Sequence, residues 1–392
     1  MNPPQPRLFG KLEGVVFFLV SAAFVTIYIT QPVLPVIREQ FGVGETAASL
    51  TISAVILGIA LANIPFGILA DNRGIRPIIL IGGGVVASCG IACALPLPFE
   101  ALIGFRFVQG LFIPALTTCL AAYLSRRLPA ERLNVVMGSY VSATVAGGLG
   151  GRLLGGMIHP GLHWRWSFVF AGLLVSIAVA VGLRWLPAND PASGESPETA
   201  LGFRDMWARR EIRSQFLVAF SGFFVFSSVF NYLPFYLAGP AFEAPTRLIT
   251  LMYLSYLIGI VAGPLAGRLA NRFGNGPTMA GGALVFAAAM LVSLIPSLFA
   301  IPVSLTGVCA GFFTVHAAAA GWLNRQLDSS RGRANSLYIL CYYAGGTVGI
   351  TASGMAYERW NWTGVVGLGL LMLTVPFGVG IRESLGRMRV RL

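Results

Sequence analysis

The sequence predicts an all-α membrane protein with twelve transmembrane helices in two pseudo-symmetric six-helix halves. Three observations predict it: a strongly apolar composition, long stretches without charge, and motifs that recur in the same order in the second half of the chain. Of 392 residues, 56% are hydrophobic and 11% charged, against roughly 25% charged in a soluble domain. Phe273 to Asn324 is a run of 52 residues without Asp, Glu, Lys or Arg, whereas one spanning helix needs about 20. That run holds two spans, parted near Pro296 or Pro302. Membrane strands would alternate apolar and polar residues, and these runs are apolar on every face.

The same composition excludes disorder, collagen and a disulfide scaffold, since the five cysteines lie inside apolar runs. The net charge of +12 is spread along the chain and forms no nucleic-acid face. The expected partners are the lipid bilayer and a small-molecule substrate, with no nucleic acid, and the chain is expected to be a monomer. The apolar run after Lys11 is too long for the core of a signal peptide and is read as a retained helix.

Cutting at charges and turn residues gives spans near 12–37, 46–69, 77–95, 99–123, 133–158, 164–186, 213–238, 247–270, 276–295, 299–323, 334–357 and 361–381. With the N-terminus inside, 21 of the 27 Lys and Arg fall in cytoplasmic segments. Only Arg38, Arg165, Arg247 and Arg359 lie outside, so the positive-inside rule puts both termini in the cytoplasm. The polar stretch in the middle divides the chain into an N-terminal half (1–187), a cytoplasmic linker (188–212) and a C-terminal half (213–392). Asn189 to Thr199 reads as flexible linker, and Arg204 to Arg213 as a basic amphipathic helix on the membrane surface.

The two halves repeat each other. Gly67-Ile-Leu-Ala-Asp-Asn-Arg-Gly-Ile-Arg-Pro77 aligns without gaps to Gly267-Arg-Leu-Ala-Asn-Arg-Phe-Gly-Asn-Gly-Pro277, at a spacing of 200. Gly147, Gly148, Gly151, Gly156, Met157 and Trp164 recur as Gly345, Gly346, Gly349, Gly354, Met355 and Trp362, at a spacing of 198. One six-helix unit has been duplicated in parallel. The rows Gly147, Gly151, Gly155 and Gly259, Gly263, Gly267, with Gly156 beside the first, have the i, i+4 spacing of close helix packing in lipid.

In the first loop motif, Gly67 and Gly74 are read as allowing close approach and positive φ in a tight turn. Asp71 would sit at the cytoplasmic membrane face among Arg73 and Arg76, a charge cluster able to hold one state closed. Asn271 replaces the acid in the second copy, so the clamp is asymmetric.

Twelve helices in two parallel halves, with Gly67-x-Leu-Ala-Asp-x-x-Gly-x-Arg between spans 2 and 3, resemble the major facilitator superfamily over essentially the whole chain. Phe105-Arg-Phe-Val-Gln-Gly110 resembles the Arg-x-x-Gln-Gly motif of that superfamily's proton-coupled drug and sugar exporters. Their helix-5 motif, Gly-x-x-x-Gly-Pro-x-x-Gly-Gly, is matched imperfectly by Gly147 to Gly156, because Arg152 stands in the proline position. The resemblance implies the major facilitator fold and proton-driven efflux through a bacterial inner membrane. It also implies a central cavity lined by helices 1, 4, 7 and 10, and so by Tyr28, Gln31, Thr117, Asn231 and His316. Phe24, Phe223, Phe230 and Tyr343 are the aromatic residues near them.

None of the fifteen carboxylates falls in the core of a span. A buried acid is the ordinary device for holding an organic cation, so the residues favour a neutral or anionic cargo. Two arginines do lie inside spans, Arg106 and Arg152, each costing about 2.5 to 3.5 kcal/mol or more at a helix centre unless it meets water or a partner. The residues allow Arg106 to be a hydrogen-bond hub on carbonyls or Gln109, and Arg152 to snorkel to the headgroups or to bind an anion. His316 is the one histidine deep in a span, and histidine ordinarily titrates near neutrality. No catalytic or metal-binding constellation is present in the sequence, so the chain is read as a transporter, not an enzyme, needing no cofactor beyond the proton gradient. Uptake or uniport of an organic anion is the rival reading; a non-transporting sensor would be expected to carry a soluble signalling domain.

Overall fold

The computed structural model describes residues 6–128, 130–186, 202–327 and 331–391, and every regular element among them is a helix. The solvent dictates this. Hydrocarbon offers no partner to backbone N–H and C=O groups, so a crossing segment must close its hydrogen bonds within itself.

In the first half α1 (Pro6–Tyr28) gives way to a turn and a 3-10 helix (Gln31–Val33), followed by α2 (Leu34–Phe41), α3 (Glu45–Ala48) and α4 (Leu50–Asn72). Then come α5 (Ile75–Cys93), α6 (Phe99–Leu116), α7 (Thr118–Arg127), α8 (Ala130–Ile158) and α9 (Trp166–Trp185). The second half runs α10 (Phe203–Ala208), α11 (Arg210–Ala238), α12 (Thr246–Met252), a 3-10 turn (Tyr253–Leu257) and α13 (Ile258–Phe273). It ends with α14 (Asn275–Val292), α15 (Ala300–Arg325) and α16 (Arg331–Arg391). Helical geometry breaks inside α16 at Trp360 (φ −128°, ψ 15°) and Asn361 (φ 51°, ψ −146°), so α16 is two rods. Ten stretches of the described residues are long and apolar enough to cross a membrane, and the one over Arg333–Leu385 contains both rods. α8 adds a further helix of 29 residues. The fold is that of an all-helical, multi-pass membrane protein.

By contact the described residues gather into two units. One holds the chain up to Val33 together with Ala54 to the end of α9; the other holds Leu34–Ser53 together with everything from α10 onward. The hairpin of α2 and α3 thus packs with the second unit, although the chain on both sides of it belongs to the first.

Within the first unit α1 packs along α8, and a β-carbon on Gly147, Gly151 or Gly155 would stand 2.4, 2.2 or 1.8 Å from the carbonyl oxygens of Ser21, Val25 and Ile29. Within the second unit α11 packs along α16 in the same way: a β-carbon on Gly345 or Gly349 would stand 2.1 or 2.5 Å from the carbonyl oxygens of Phe220 and Phe224. Lipid tails are as apolar as leucine, so helix association in a bilayer rests on close backbone approach, and only glycine permits approach this close. Gly156 is buried on the same helix. The row on α13 behaves differently. A β-carbon on Gly259 would clash with the Phe313 ring, but one on Gly263 or Gly267 would meet nothing within 4 Å. Four residues turn a helix by about 400°, so such a row drifts about 40° per step and leaves a contact face unless the neighbour follows it.

The surface helix expected over Arg204–Arg213 is not formed as such. α10 stops at Ala208, Arg209 is extended (φ −72°, ψ 110°), and Arg210 onward begins α11. α10 is anchored to the second unit's core by Met206, which is fully buried with Ile212 and Phe216, and by Trp207 stacked on Phe216 at 5.8 Å. Apolar docking, not a basic face, sets its place. The expected linker Asn189–Thr199 lies outside the described residues.

The glycine contacts generate a contrast that thermal unfolding of detergent-purified protein can read. Gly151→Val forces a side chain into the Val25 carbonyl and should cost about 1–3 kcal/mol or more, lowering the melting temperature by several degrees, whereas Gly263→Val should leave it unchanged. Equal melting of the two variants would show that the α1–α8 contact is not close packed.

Candidate functional site

The break in the first span organises the polar residues of the first unit. α1 ends at Tyr28, so the carbonyls of its last turn have no partner along the helix, and in lipid such groups must be satisfied by protein. Arg106 does this. Fully buried on α6, it donates from Nη1 to the Thr26 carbonyl (2.8 Å) and from Nη2 to the Ile27 carbonyl (2.7 Å). A guanidinium also suits the negative end of the α1 dipole. Nη1 further donates to Gln109 Oε1, and the Gln109 amide donates to the Val86 carbonyl on α5 (3.0 Å). A β-carbon on Gly110 would stand 2.2 Å from the Val55 carbonyl of α4. The Arg-x-x-Gln-Gly motif therefore ties α6 to α1, α5 and α4 through one residue type for each neighbour.

Arg152 reaches the same break from α8. Buried to 1% exposure, it donates from Nε to Gln31 Oε1 (2.6 Å) and from Nη1 to the Gly148 carbonyl one turn back (2.8 Å), with its guanidinium 4.1 Å from the centre of the Tyr28 ring. Both acceptors are neutral. An arginine over a tyrosine face gains a cation–π contact worth up to about 2 kcal/mol when desolvated. Tyr28, Gln31 and Arg152 are thus brought together, and Arg106 meets the carbonyls two residues earlier. In the duplicated unit Ile350 stands where Arg152 does, and its carbonyl accepts the Tyr232 hydroxyl (2.8 Å).

The other residues singled out from the sequence lie elsewhere. His316, on α15, is partly buried in the second unit, with Nδ1 3.0 Å from the Tyr338 hydroxyl and its ring stacked on Phe312 (5.9 Å). Phe223 and Phe230 are core residues of that unit, and Tyr343 meets Phe223 edge-on at 6.0 Å. The partner that sequence reasoning missed is Tyr338; its spacing from His316 across two helices leaves no linear signal. Asn231, fully buried on α11, donates to Ser49 Oγ (2.7 Å) in the same unit. Thr117 marks the joint between α6 and α7, its hydroxyl donating to the Ile113 carbonyl. His159 and His163 lie in the loop before α9, where partial burial lowers both below the usual imidazole value, with Arg165 adding to the effect at His163.

In the Gly67–Pro77 loop the side chain of Asp71 lies outside the described residues. Arg73 is exposed, and Arg76 donates to the Leu183 carbonyl on α9. The reading of Gly67 and Gly74 as close-approach, positive-φ positions is not met. Gly74 is extended (φ −63°, ψ 148°) at the start of α5, and a β-carbon on Gly67 would meet nothing within 4 Å. Arg73 N–H closes α4 onto the Leu69 carbonyl, so the chain turns without reversed backbone. The second copy does use it: Gly274 has φ 99°. There Asn271, the counterpart of Asp71, accepts from Arg325 Nη2 (2.6 Å).

The family model of the Major Facilitator Superfamily matches residues 16–251 and 242–381, and the chain belongs to that superfamily. It is 26% identical over 94% of its length to the uncharacterized MFS-type transporter YybF of Bacillus subtilis, of which 92% is covered. It is 27% identical over 95% to the inner membrane transport protein YnfM of Escherichia coli, of which 90% is covered. A crystal structure of a bacterial homolog of the human lysosomal transporter Spinster superposes with TM-score 0.72 at 17% identity, covering 97% of this chain and 94% of that one. The chain is accordingly a membrane transporter and not an enzyme.

The role of Arg106 can be read in a stability assay. Arg106→Ala strands two helix-end carbonyls and Gln109, each buried unpaired group costing about 1–3 kcal/mol, so it should lower the melting temperature sharply, with Arg106→Lys recovering part of the loss. If Arg106→Ala melts with the parent, the arginine does not hold the end of α1.

Proposed function

We propose that the chain is a secondary active transporter that exports a small organic molecule, neutral or anionic, across the bacterial inner membrane by alternating access and in exchange for protons. One observation carries the preference for cargo: among the described residues the only charged side chains that are fully buried are Arg106 and Arg152. An organic cation would meet positive charge there. Arg106 is committed to backbone carbonyls. Arg152 is held by a side-chain amide oxygen and one carbonyl, and a carboxylate could displace the amide from its fork, because ionised acceptors bind a guanidinium roughly twice as strongly as neutral ones. His316 supplies the proton step in this reading. Imidazole is the side chain whose ordinary range spans physiological pH, and a proton on it would change the energy of the empty carrier relative to the loaded one. Membership of the superfamily supports alternating access about a midplane site.

Everted vesicles from cells producing the chain, energised by respiration and loaded with acridine orange, test this directly. Addition of a dicarboxylate or an aromatic sulfonate should release part of the quench, and a lipophilic organic cation should not. Arg152→Lys should weaken the response, Arg152→Ala should remove most of it, and His316→Ala should chiefly flatten its dependence on pH between about 5 and 8. A response to the cation alone, or a full response in Arg152→Ala, would overturn the proposal.

A further inference from the structure

α6 and α7 form one span that is interrupted inside the membrane. α6 ends at Leu116, α7 begins at Thr118, and Thr117 between them (φ −116°, ψ −75°) lies well away from the α-helical values of roughly −63° and −42°. Pro114, inside α6, brings no N–H to the last turn. The hydrogen-bond ladder of α7 opens with the Ala121 N–H on the Thr117 carbonyl (2.9 Å), so the N–H groups of Thr118 and Leu120 stand ahead of it with no acceptor along α7. A threonine in this place ordinarily caps the helix. Thr117 does not, because its hydroxyl makes no cap bond and donates back to the Ile113 carbonyl (3.2 Å). The matching span of the second copy, α15 (Ala300–Arg325), runs unbroken, so the fold itself does not require the interruption.

The groups gathered round this helix start are donors. Thr118 Oγ1 donates to Asn63 Oδ1 on α4, which holds the Asn63 amide against the first residue of α7. Asn63 is 2% exposed, and its Nδ2 is buried with no hydrogen-bond partner. Tyr140 on α8 adds a hydroxyl beside that of Thr117. Thr118 and Tyr140 are half-buried, so the group lies at a surface of the first unit and not deep in its core. Asn63 and Thr118 stand nine residues, or about 14 Å, from the ends of α4 and α7 at Asn72 and Arg127. That is roughly midway through a hydrocarbon layer of about 30 Å, where a donor finds no water to satisfy it. The carboxylates on α4, α6 and α8 are Asp71, Glu100 and Glu131, all near helix ends, and α7 carries none. These elements therefore supply donors at the joint and no negative charge to meet them.

We propose that the joint between α6 and α7 is a carboxylate subsite, in which a carboxylate of the cargo accepts hydrogen bonds from the Thr118 N–H and from Asn63 Nδ2 at the positive end of the α7 dipole. This rests on the anionic-cargo reading and gives such a cargo a holding point that shares no residue with the Arg152 contacts; its test needs no transport. The full chain, carrying 15N-labelled threonine and reconstituted into nanodiscs, is titrated with benzoate and separately with benzamide. The Thr118 amide resonance, identified by its loss in Thr118→Ser, should shift saturably with benzoate and stay in place with benzamide, which keeps the ring and lacks the charge. Asn63→Leu removes one donor and should weaken the benzoate affinity about tenfold. Asn63→Asp sets a negative charge at the site and should abolish the shift. Size-exclusion profile and melting temperature control the folding of both, and the contrast between benzoate and benzamide in the parent decides the matter where either fails to fold. No shift with benzoate, an equal shift with benzamide, or undiminished affinity in a folded Asn63→Asp overturns the subsite. A saturable Thr118 shift in a chain whose vesicles answer no anion would leave the subsite standing and remove the export reading, whereas a quench released by anions with Thr118 unmoved would do the reverse.

Discussion

The contact between a glycine and the backbone carbonyl of the neighbouring helix sets the positions of most of what matters in this molecule. Gly151 on Val25 and Gly349 on Phe224 bring two helices so close that their axes and registers are fixed together. In a bilayer no hydrophobic force would do this, because the tails solvate an apolar helix as well as another helix does. Once α8 lies on α1 in this register, Arg152, the next residue after Gly151, has to meet the end of α1, where Tyr28 and Gln31 are. The same register in the second unit delivers Ile350 to the Tyr232 hydroxyl. One interface was duplicated, and a cation was placed in one copy only.

That asymmetry extends to the helices themselves. α11 runs unbroken for 29 residues, while its counterpart stops at Tyr28 and restarts as α2. A broken span leaves carbonyls bare, and the membrane interior tolerates them only with protein donors to meet them. Arg106 provides those donors, and its own charge is stabilised by the carbonyl dipoles it satisfies. The costly arginine and the costly break therefore offset one another. The break gives the first half a joint that the second half lacks, and beyond the joint the chain leaves the first unit for the second.

Much of the fold was legible in the sequence because the bilayer imposes simple rules. Charge-free length gave the spans, and the spacing of 198 to 200 residues gave the duplication. The depth of Arg106 and Arg152 could be counted along their helices. Their partners could not, since the acceptors are backbone carbonyls and an amide on another helix, and a carbonyl has no signature in a sequence. The break after Tyr28 was hidden for a related reason: the run from Gly14 to Leu34 carries no charge, and only Pro32 and Pro35 hint that helical geometry ends. The Arg204–Arg213 segment misled because its four arginines suggested a surface, whereas the burial of Met206 and the stacking of Trp207 on Phe216 decided the place of α10. Gly74 misled because glycine permits positive φ without requiring it.

The central claim is that one six-helix unit was copied in parallel, so that each copy begins on the same side of the membrane. An even number of spans must then separate the start of α11 from both chain ends. Paired phosphatase and fluorescent-protein fusions placed after Arg210 and at Leu392 measure this most directly. The account predicts fluorescence without phosphatase activity at both positions, placing both in the cytoplasm. Phosphatase activity at one and fluorescence at the other would mean an odd number of crossings between them and would contradict the parallel duplication.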